Sequence, residues 1–170
     1  EQSPTIDPNG LISHTMRHRA FSNSGLRSPL AAVPPSANSR RSSSEEPVVG
    51  FAGTWHMSDE AHIVSVGVRK SYRRMGIGEL LLIAAIEEAV QRGSRVVTLE
   101  VRASNQVAMA LYSKYSFSDQ GVRKSYYSDS REDAIIMTTD PIQYPPFQAQ
   151  FQALKLAHSG RWGKAAVVLP

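Results

Sequence analysis

Residues 62–102 constrain the fold more than any other stretch of the chain. They open on an alternating segment in which Val64, Val66 and Val68 interleave with Ile63, Ser65 and Gly67. A period of two is what a strand with unlike faces requires. A two-glycine loop, Tyr72-Arg73-Arg74-Met75-Gly76-Ile77-Gly78, comes next. Residues 78–92 then place Leu82, Ala85, Ile86, Ala89 and Val90 on one helical face, with Gly93 where a helix C-terminal glycine belongs. Residues 96–102 return to alternation, Val97, Leu99 and Val101 against Val96, Thr98, Glu100 and Arg102. A strand-helix-strand unit of this kind buries its apolar faces only within a sheet covered by helices.

The flanking sequence extends that sheet. Residues 48–56 are β-branched and aromatic, and residues 57–60 are turn-like, so two strands joined by a tight turn are expected ahead of the loop. Asn105 can cap a second helix running to about residue 114, whose stripe is Ala108, Leu111, Tyr112 and Tyr115. Residues 117–127 and 134–138 read as two further strands. Beyond Pro141 and the Pro145-Pro146 pair, Phe147, Phe151 and Leu154 mark an amphipathic tail helix that Gly160 is expected to end. The order β-β-α-β-α-β-β predicts an α/β (α+β) fold over residues 47–140, a mixed central β-sheet flanked by helices, followed by a tail over 141–170. Upstream, residues 22–46 hold eight serines and three prolines without periodicity and are expected to be poorly ordered. Leu11, Ile12, Thr15, Met16 and Arg19 fall at helical spacing, so one short helix is expected over residues 11–21. Residues 1–46 are thus expected to add one short helix and a poorly ordered segment.

Composition removes several functional classes. The formal charge of +4 on 170 residues is too diffuse for a polybasic nucleic-acid binder, though it suits an anionic ligand. With no cysteine, a disulfide scaffold, a thiolate metal site and a cysteine nucleophile are excluded, which points to a reducing, cytoplasmic setting. The longest apolar run, residues 80–86, is far short of the ~20 residues of a membrane helix. No basic region leads into an apolar stretch, so no secretory signal is expected. The chain opens on Glu1 rather than Met, consistent with a trimmed N-terminus.

The glycine loop carries the sharpest chemical signal. Glycines at a helix N-terminus leave several N–H groups outward, and the helix dipole adds positive charge, so a pyrophosphate fits there. The loop lacks the Gly-Lys-Ser/Thr ending of a P-loop and the third glycine of a dinucleotide fingerprint. A tight turn with close helix packing is the alternative origin of Gly76 and Gly78.

Arg73-x-x-Gly76-x-Gly78 resembles the acetyl-CoA signature of the GNAT N-acetyltransferase superfamily, in the strand-loop-helix context that superfamily uses. The runs Asp59-Glu60-Ala61-His62-Ile63, Leu99-Glu100-Val101-Arg102-Ala103-Ser104-Asn105, Ala110-Leu111-Tyr112, Tyr126-Tyr127 and Arg131-Glu132-Asp133-Ala134-Ile135-Ile136-Met137 resemble its RimI branch, the ribosomal-protein-alanine N-acetyltransferases. The resemblance covers residues 47–139. It implies a GNAT fold, beside which residues 1–46 read as a degenerate or shortened N-terminal part, and an acetyl-CoA-dependent acetyltransferase, with the N-terminal alanine of a small-subunit ribosomal protein as acceptor. No metal, nucleic acid or membrane is implied. A small amine or a lysine side chain is the alternative acceptor, and a non-catalytic acyl-CoA-binding homologue the alternative class.

Carried over residue by residue, the resemblance implies that the backbone of Val66, Gly67 and Val68 holds the acetyl and pantetheine arm. The pyrophosphate is implied to sit on the loop from Arg73 through Arg74, Met75, Gly76, Ile77 and Gly78 to Glu79. Asn105 matches a cofactor-contacting asparagine, and a helix N-cap is an equally good physical reading of it. Glu100 matches the proton acceptor for the incoming ammonium, against the plain alternatives of a salt bridge to Arg102 or a solvated edge. Tyr112 matches the proton donor to the departing thiolate, against a place in the helical stripe. Tyr126 and Tyr127 are candidate acceptor contacts. Lys70, Ser116 and Glu79 depart from the pattern, and a carboxylate at position 79 is expected to repel bound phosphates by ~0.3 to 1 kcal/mol. His56 and His62 show no carboxylate at ligand spacing and are expected to be surface or core histidines.

Overall fold

The structure is a computed structural model that describes residues 12–17, by their backbone, and residues 47–163. Six strands form one sheet in the order β1-β2-β3-β4-β6-β5. β1 (Ile12–Arg17), β2 (Val48–Met57) and β3 (Glu60–Val68) are antiparallel neighbours, as are β4 (Val96–Arg102), β6 (Glu132–Thr139) and β5 (Phe117–Tyr127). The two halves meet at one parallel pair, β3 against β4. A parallel pair needs a crossover, and α1 (Ile77–Gln91) supplies it.

The β3–β4 ladder runs only from Glu60↔Val96 to Ile63↔Leu99. Past that point β3 continues to Val68 bound to β2 alone, and β4 continues to Arg102 bound to β6. The strands therefore part at the middle of the sheet. The β4-facing edge of β3 over residues 64–68 has no ladder partner among the described residues.

α1 is apolar well beyond its expected stripe. Leu81, Ile83 and Ala84 are buried along with Leu82, Ala85, Ile86 and Ala89, because the sheet lies on one side and α3 (Pro145–Trp162) on another. Its buried Glu88 takes 2.9 Å hydrogen bonding from Arg92 Nε, and His56 Nε2 lies 3.5 Å away. His56 is thus a largely buried strand histidine with a carboxylate nearby in space. α2 (Gln106–Lys114) carries Tyr112 and ends beside Tyr115, whose ring is 1% exposed and meets Phe151 of α3 edge-on at 6.3 Å. Ser116, where the resemblance has glycine, adopts a φ of +62°.

Two expectations give way. Residues 12–17 form β1, not a helix, with Ile12 opposite Thr54 and Met16 opposite Gly50. Pairing satisfies the N–H and C=O groups that β2 would otherwise leave along an edge, an option that helical spacing within one short segment does not register. The remainder of residues 1–46, including the Ser/Pro-rich stretch 22–46, lies outside the described residues. The tail helix also does not stop at Gly160. It starts at Pro145, a residue suited to the first helical position, and runs to Trp162 before Gly163 ends it at φ +86°. A glycine inside a helix costs about 1 kcal/mol relative to alanine, and contacts of Trp162 beyond it hold the last turn in place.

Candidate active site

The candidate cofactor and catalytic residues lie on β3, the loop after it, the start of α1, β4 and α2 with its N-cap, the elements on either side of the point where β3 and β4 part. The loop after β3 makes a short 3-10 turn, Lys70–Tyr72, then passes through two left-handed residues, Arg74 at φ +65° and Gly76 at φ +74°, before α1 starts. Arg73 Nε donates to the Val68 carbonyl at 3.3 Å and ties the loop back to the strand. Leu80 N–H reaches the Gly76 carbonyl at 2.9 Å. The first-turn amides of Ile77, Gly78 and Glu79 have no backbone acceptor among the described residues, as helix geometry dictates, and such a row is suited to an anion.

Gly76 has a second role that its place in the motif does not reveal. A Cβ there would lie 2.6 Å from Trp162 Cδ1 and 2.7 Å from its Nε1, so the glycine makes room for an indole. Gly78 is under no such pressure, the nearest neighbour of its Cβ being Val68 Cγ2 at 3.7 Å. At Gly67 a Cβ would strike the Phe51 ring at 2.5 Å.

Glu79 does not lie bare beside this cradle. Its Oε1 accepts hydrogen bonds from Lys114 Nζ at 2.6 Å and Tyr115 Oη at 2.8 Å, tying the start of α1 to the end of α2. Burial works against the carboxylate, but the hydrogen bonds from Lys114 and Tyr115 outweigh it and hold its pKa below the ordinary value. Burial, then the Glu79 carboxylate, push the Tyr115 phenol far up. The repulsion expected of position 79 is thus matched by a cation 2.6 Å away.

Glu100 sits just past the parting of the strands, its side chain only 6% exposed. Oε2 accepts a 2.6 Å hydrogen bond from His62 Nε2, and Oε1 lies 3.3 Å from Arg123 Nη2. The partner is therefore not Arg102. That guanidinium binds Asp129 at 2.8 Å and Glu132 at 3.3 Å, and lies 3.9 Å over the ring of Tyr127. His62 stands opposite Thr98 in the parallel ladder, one diagonal step from Glu100. Sequence reasoning missed it because 38 residues separate the two, and only the pairing of β3 with β4 closes the gap.

Tyr112 faces Phe117 at 5.8 Å and is partly buried against the core. Burial, then the neighbouring Tyr127, raise its pKa. Tyr127 in turn places its hydroxyl 3.4 Å from the Glu100 carbonyl and meets Tyr126 edge-on. Asn105 Oδ1 accepts from the Ala108 amide at 3.2 Å, the N-cap geometry. Among the described residues, no three His, Cys, Asp or Glu side chains converge as for a metal ion, and no helix is long and apolar enough to cross a membrane.

A strand pair that parts beside an anion cradle, with a buried carboxylate at the fork, defines a class as well as a site. Residues 33–117, half of the chain, match the acetyltransferase (GNAT) family, and the chain belongs to that family. Within it, the chain is 44% identical over 92 residues to the [ribosomal protein bS18]-alanine N-acetyltransferase of Escherichia coli K12. That match takes in 53% of this chain and 62% of the relative, so the chain spans about three fifths of the length of the curated relatives it matches. The crystal structure of the ribosomal-protein-S18-alanine N-acetyltransferase from Escherichia coli is similar at a TM-score of 0.53 and 41% identity, over 59% of this chain and 65% of that one. Ard1 from Thermoplasma volcanium is similar at a TM-score of 0.52 and 35% identity, over 55% and 64%.

Proposed function

We propose that the chain transfers an acetyl group from acetyl-CoA to the α-amine of a protein N-terminus, the N-terminal alanine of a small-subunit ribosomal protein being the favoured acceptor. The observation that carries this reading is the Glu100 carboxylate, buried at the fork of β3 and β4 with each oxygen already engaged. The open edge of β3 offers backbone groups of Val66, Gly67 and Val68 to the pantetheine arm. The amides from Arg74 to Glu79 offer a seat for the pyrophosphate, with Arg73, Met75, Gly76, Ile77 and Gly78 shaping it. Asn105 caps α2 at the same end of the sheet, within the family's cofactor motif.

An α-ammonium, of ordinary pKa near ~8, must lose a proton before its nitrogen can attack a thioester carbonyl. Glu100 accepts that proton. A carboxylate has about four lone-pair sites, and His62 and Arg123 use only two, so the acceptor capacity survives the contacts that orient it. As the N–C bond forms and the C–S bond breaks, the sulfur leaves as a thiolate. Tyr112, a buried phenol, supplies the proton that neutralises it, and the second proton that the nitrogen sheds as the amide forms restores the phenol.

Mass spectrometry of peptides beginning Ala-Arg-Tyr or Ser-Ala, incubated with the protein and acetyl-CoA, tests the reading. Acetylation of the alanine α-amine is expected. Tyr112→Phe should depress turnover without recovery at high pH. Lysine acetylation with untouched N-termini would overturn the acceptor assignment, and binding without transfer to any amine would overturn the enzyme assignment.

A further inference from the structure

The last turns of α3 reach back to the loop ahead of α1. His158, only 6% exposed, continues the stripe of Phe147, Phe151 and Leu154, a buried position where an apolar residue would serve packing as well. Its Nε2 instead donates to the Gly76 carbonyl at 3.0 Å. One turn on, the Trp162 indole fills the place of a Gly76 side chain. The rest of the helix is anchored independently, by the Lys155–Glu87 ion pair and the edge-on contact of Phe151 with Tyr115.

The direction of the grip matters. The Gly76 carbonyl also accepts from Leu80 N–H, so it points along α1 and away from the amides of Ile77, Gly78 and Glu79. His158 therefore holds Gly76 by its carbonyl and leaves the amides of Ile77, Gly78 and Glu79 unused by that contact. A non-glycine residue in the left-handed region persists only where its surroundings over-determine it, and Arg74 at φ +65° is such a residue. Two positions on, Gly76 holds a left-handed conformation that glycine adopts freely and that contacts from elsewhere can therefore select. The family match ends at residue 117, whereas α3 begins at Pro145, so this grip comes from outside the matched stretch.

We propose that His158 and Trp162 are positioning residues for the cofactor loop. They fix the left-handed Gly76 and so pre-align the three amides for a pyrophosphate, lowering the ordering cost at binding. The inference rests on the reading of residues 73–79 as the acetyl-CoA cradle.

Trp162 is 41% exposed, so Trp162→Ala should fold in the full chain. Titration calorimetry with acetyl-CoA is expected to show affinity weakened about tenfold, the scale of a small misplacement of a binding group. KM for acetyl-CoA should rise in step while kcat at saturation stays within about twofold. Trp162→Phe should restore most of the affinity, and His158→Ala should move it in the same direction as Trp162→Ala. Unchanged affinity in both alanine variants would overturn the proposal, and so would tighter binding in Trp162→Ala, which would make the indole an obstruction. If the wild-type chain binds no acetyl-CoA, the cradle reading fails separately. Hydrogen exchange at the amides of residues 76–80 then decides, faster exchange confined to that loop in Trp162→Ala supporting the positioning role and identical exchange overturning it.

Discussion

The loop ahead of α1 and the carboxylate at the fork have different parts in the proposed reaction, and they are built in opposite ways. The loop works through main-chain amides, and its competence depends on two left-handed residues and on what holds them. The fork works through a side chain, and its competence depends on which groups from other strands reach Glu100. A local motif can spell out the first kind of site, since backbone direction is set by neighbours in sequence. The second kind exists only after distant strands pair. Substitutions should therefore separate the two, turnover failing at the fork and affinity failing at the loop.

The largest effect is expected at Glu100. Glu100→Gln keeps the volume and removes the basicity, so turnover should fall by ~10² to 10⁴, with part regained at alkaline pH where the amine is already neutral. Acetyl-CoA affinity, measured by calorimetry, should stay near that of the wild type. A matching loss of affinity would erase the distinction between the two regions.

Gly76→Ala attacks the other side. The added methyl meets the Trp162 indole, and the residue must hold φ +74°, for a combined destabilisation of about 2 to 4 kcal/mol. The stabilisation by acetyl-CoA, roughly 2.7 kcal/mol at ~100 times Kd for the wild type, should shrink with it in thermal melts. A full ligand-induced shift would mean the loop tolerates a displaced Gly76.

His62→Ala sharpens the picture of the fork. With His62 gone, Glu100 keeps only the half-exposed Arg123, and turnover should drop by about tenfold through poorer orientation. Because both residues act as one unit, the double variant His62→Ala/Glu100→Gln should be no slower than Glu100→Gln alone. Additive losses would show that His62 acts independently of the carboxylate.

The smallest effect is expected where the regions touch through α2. Glu79 has a folded pKa below its ordinary 4.5, so its contribution to stability is present above that value and is lost as pH falls through the folded pKa. Glu79→Gln should lower stability by about 1 kcal/mol at neutral pH. The difference from wild type should shrink in acid denaturation profiles as pH falls below 4.5 and vanish below the folded pKa, and a constant difference across that range would exclude the Lys114 and Tyr115 contacts as its source.

Much of the scaffold was legible because it obeys a period. Strict alternation placed β4 at residues 96–102, where the structure has it. The apolar stripe located α1 to within one residue at either end, and Asn105 was recognisable as a cap because an N-cap is a two-residue-to-five-residue affair. Period failed in the two places where another element decided. Residues 12–17 have helical spacing yet form β1, because an adjacent strand offered a full set of backbone partners. Gly160 reads as a stop, yet the helix passes through it to a residue that has somewhere to dock.

The site divides along the same line. Glu100 and Gly76 stood out in the sequence through the motifs they belong to, and the amide row followed from a glycine loop preceding a helix. What holds them did not. His62 reaches Glu100 across a parallel ladder, Lys114 pairs with Glu79 and Tyr115 donates to it from the end of α2, and Trp162 meets Gly76 from 86 residues downstream. The sequence by itself determined the periodic elements and the turn chemistry, because these depend on interactions within a few residues, and its motifs supplied the candidate groups of the proposed reaction. Only the tertiary structure decided the partners of those groups, because hydrogen bonds and close packing act over a few ångströms in space, whatever the distance along the chain.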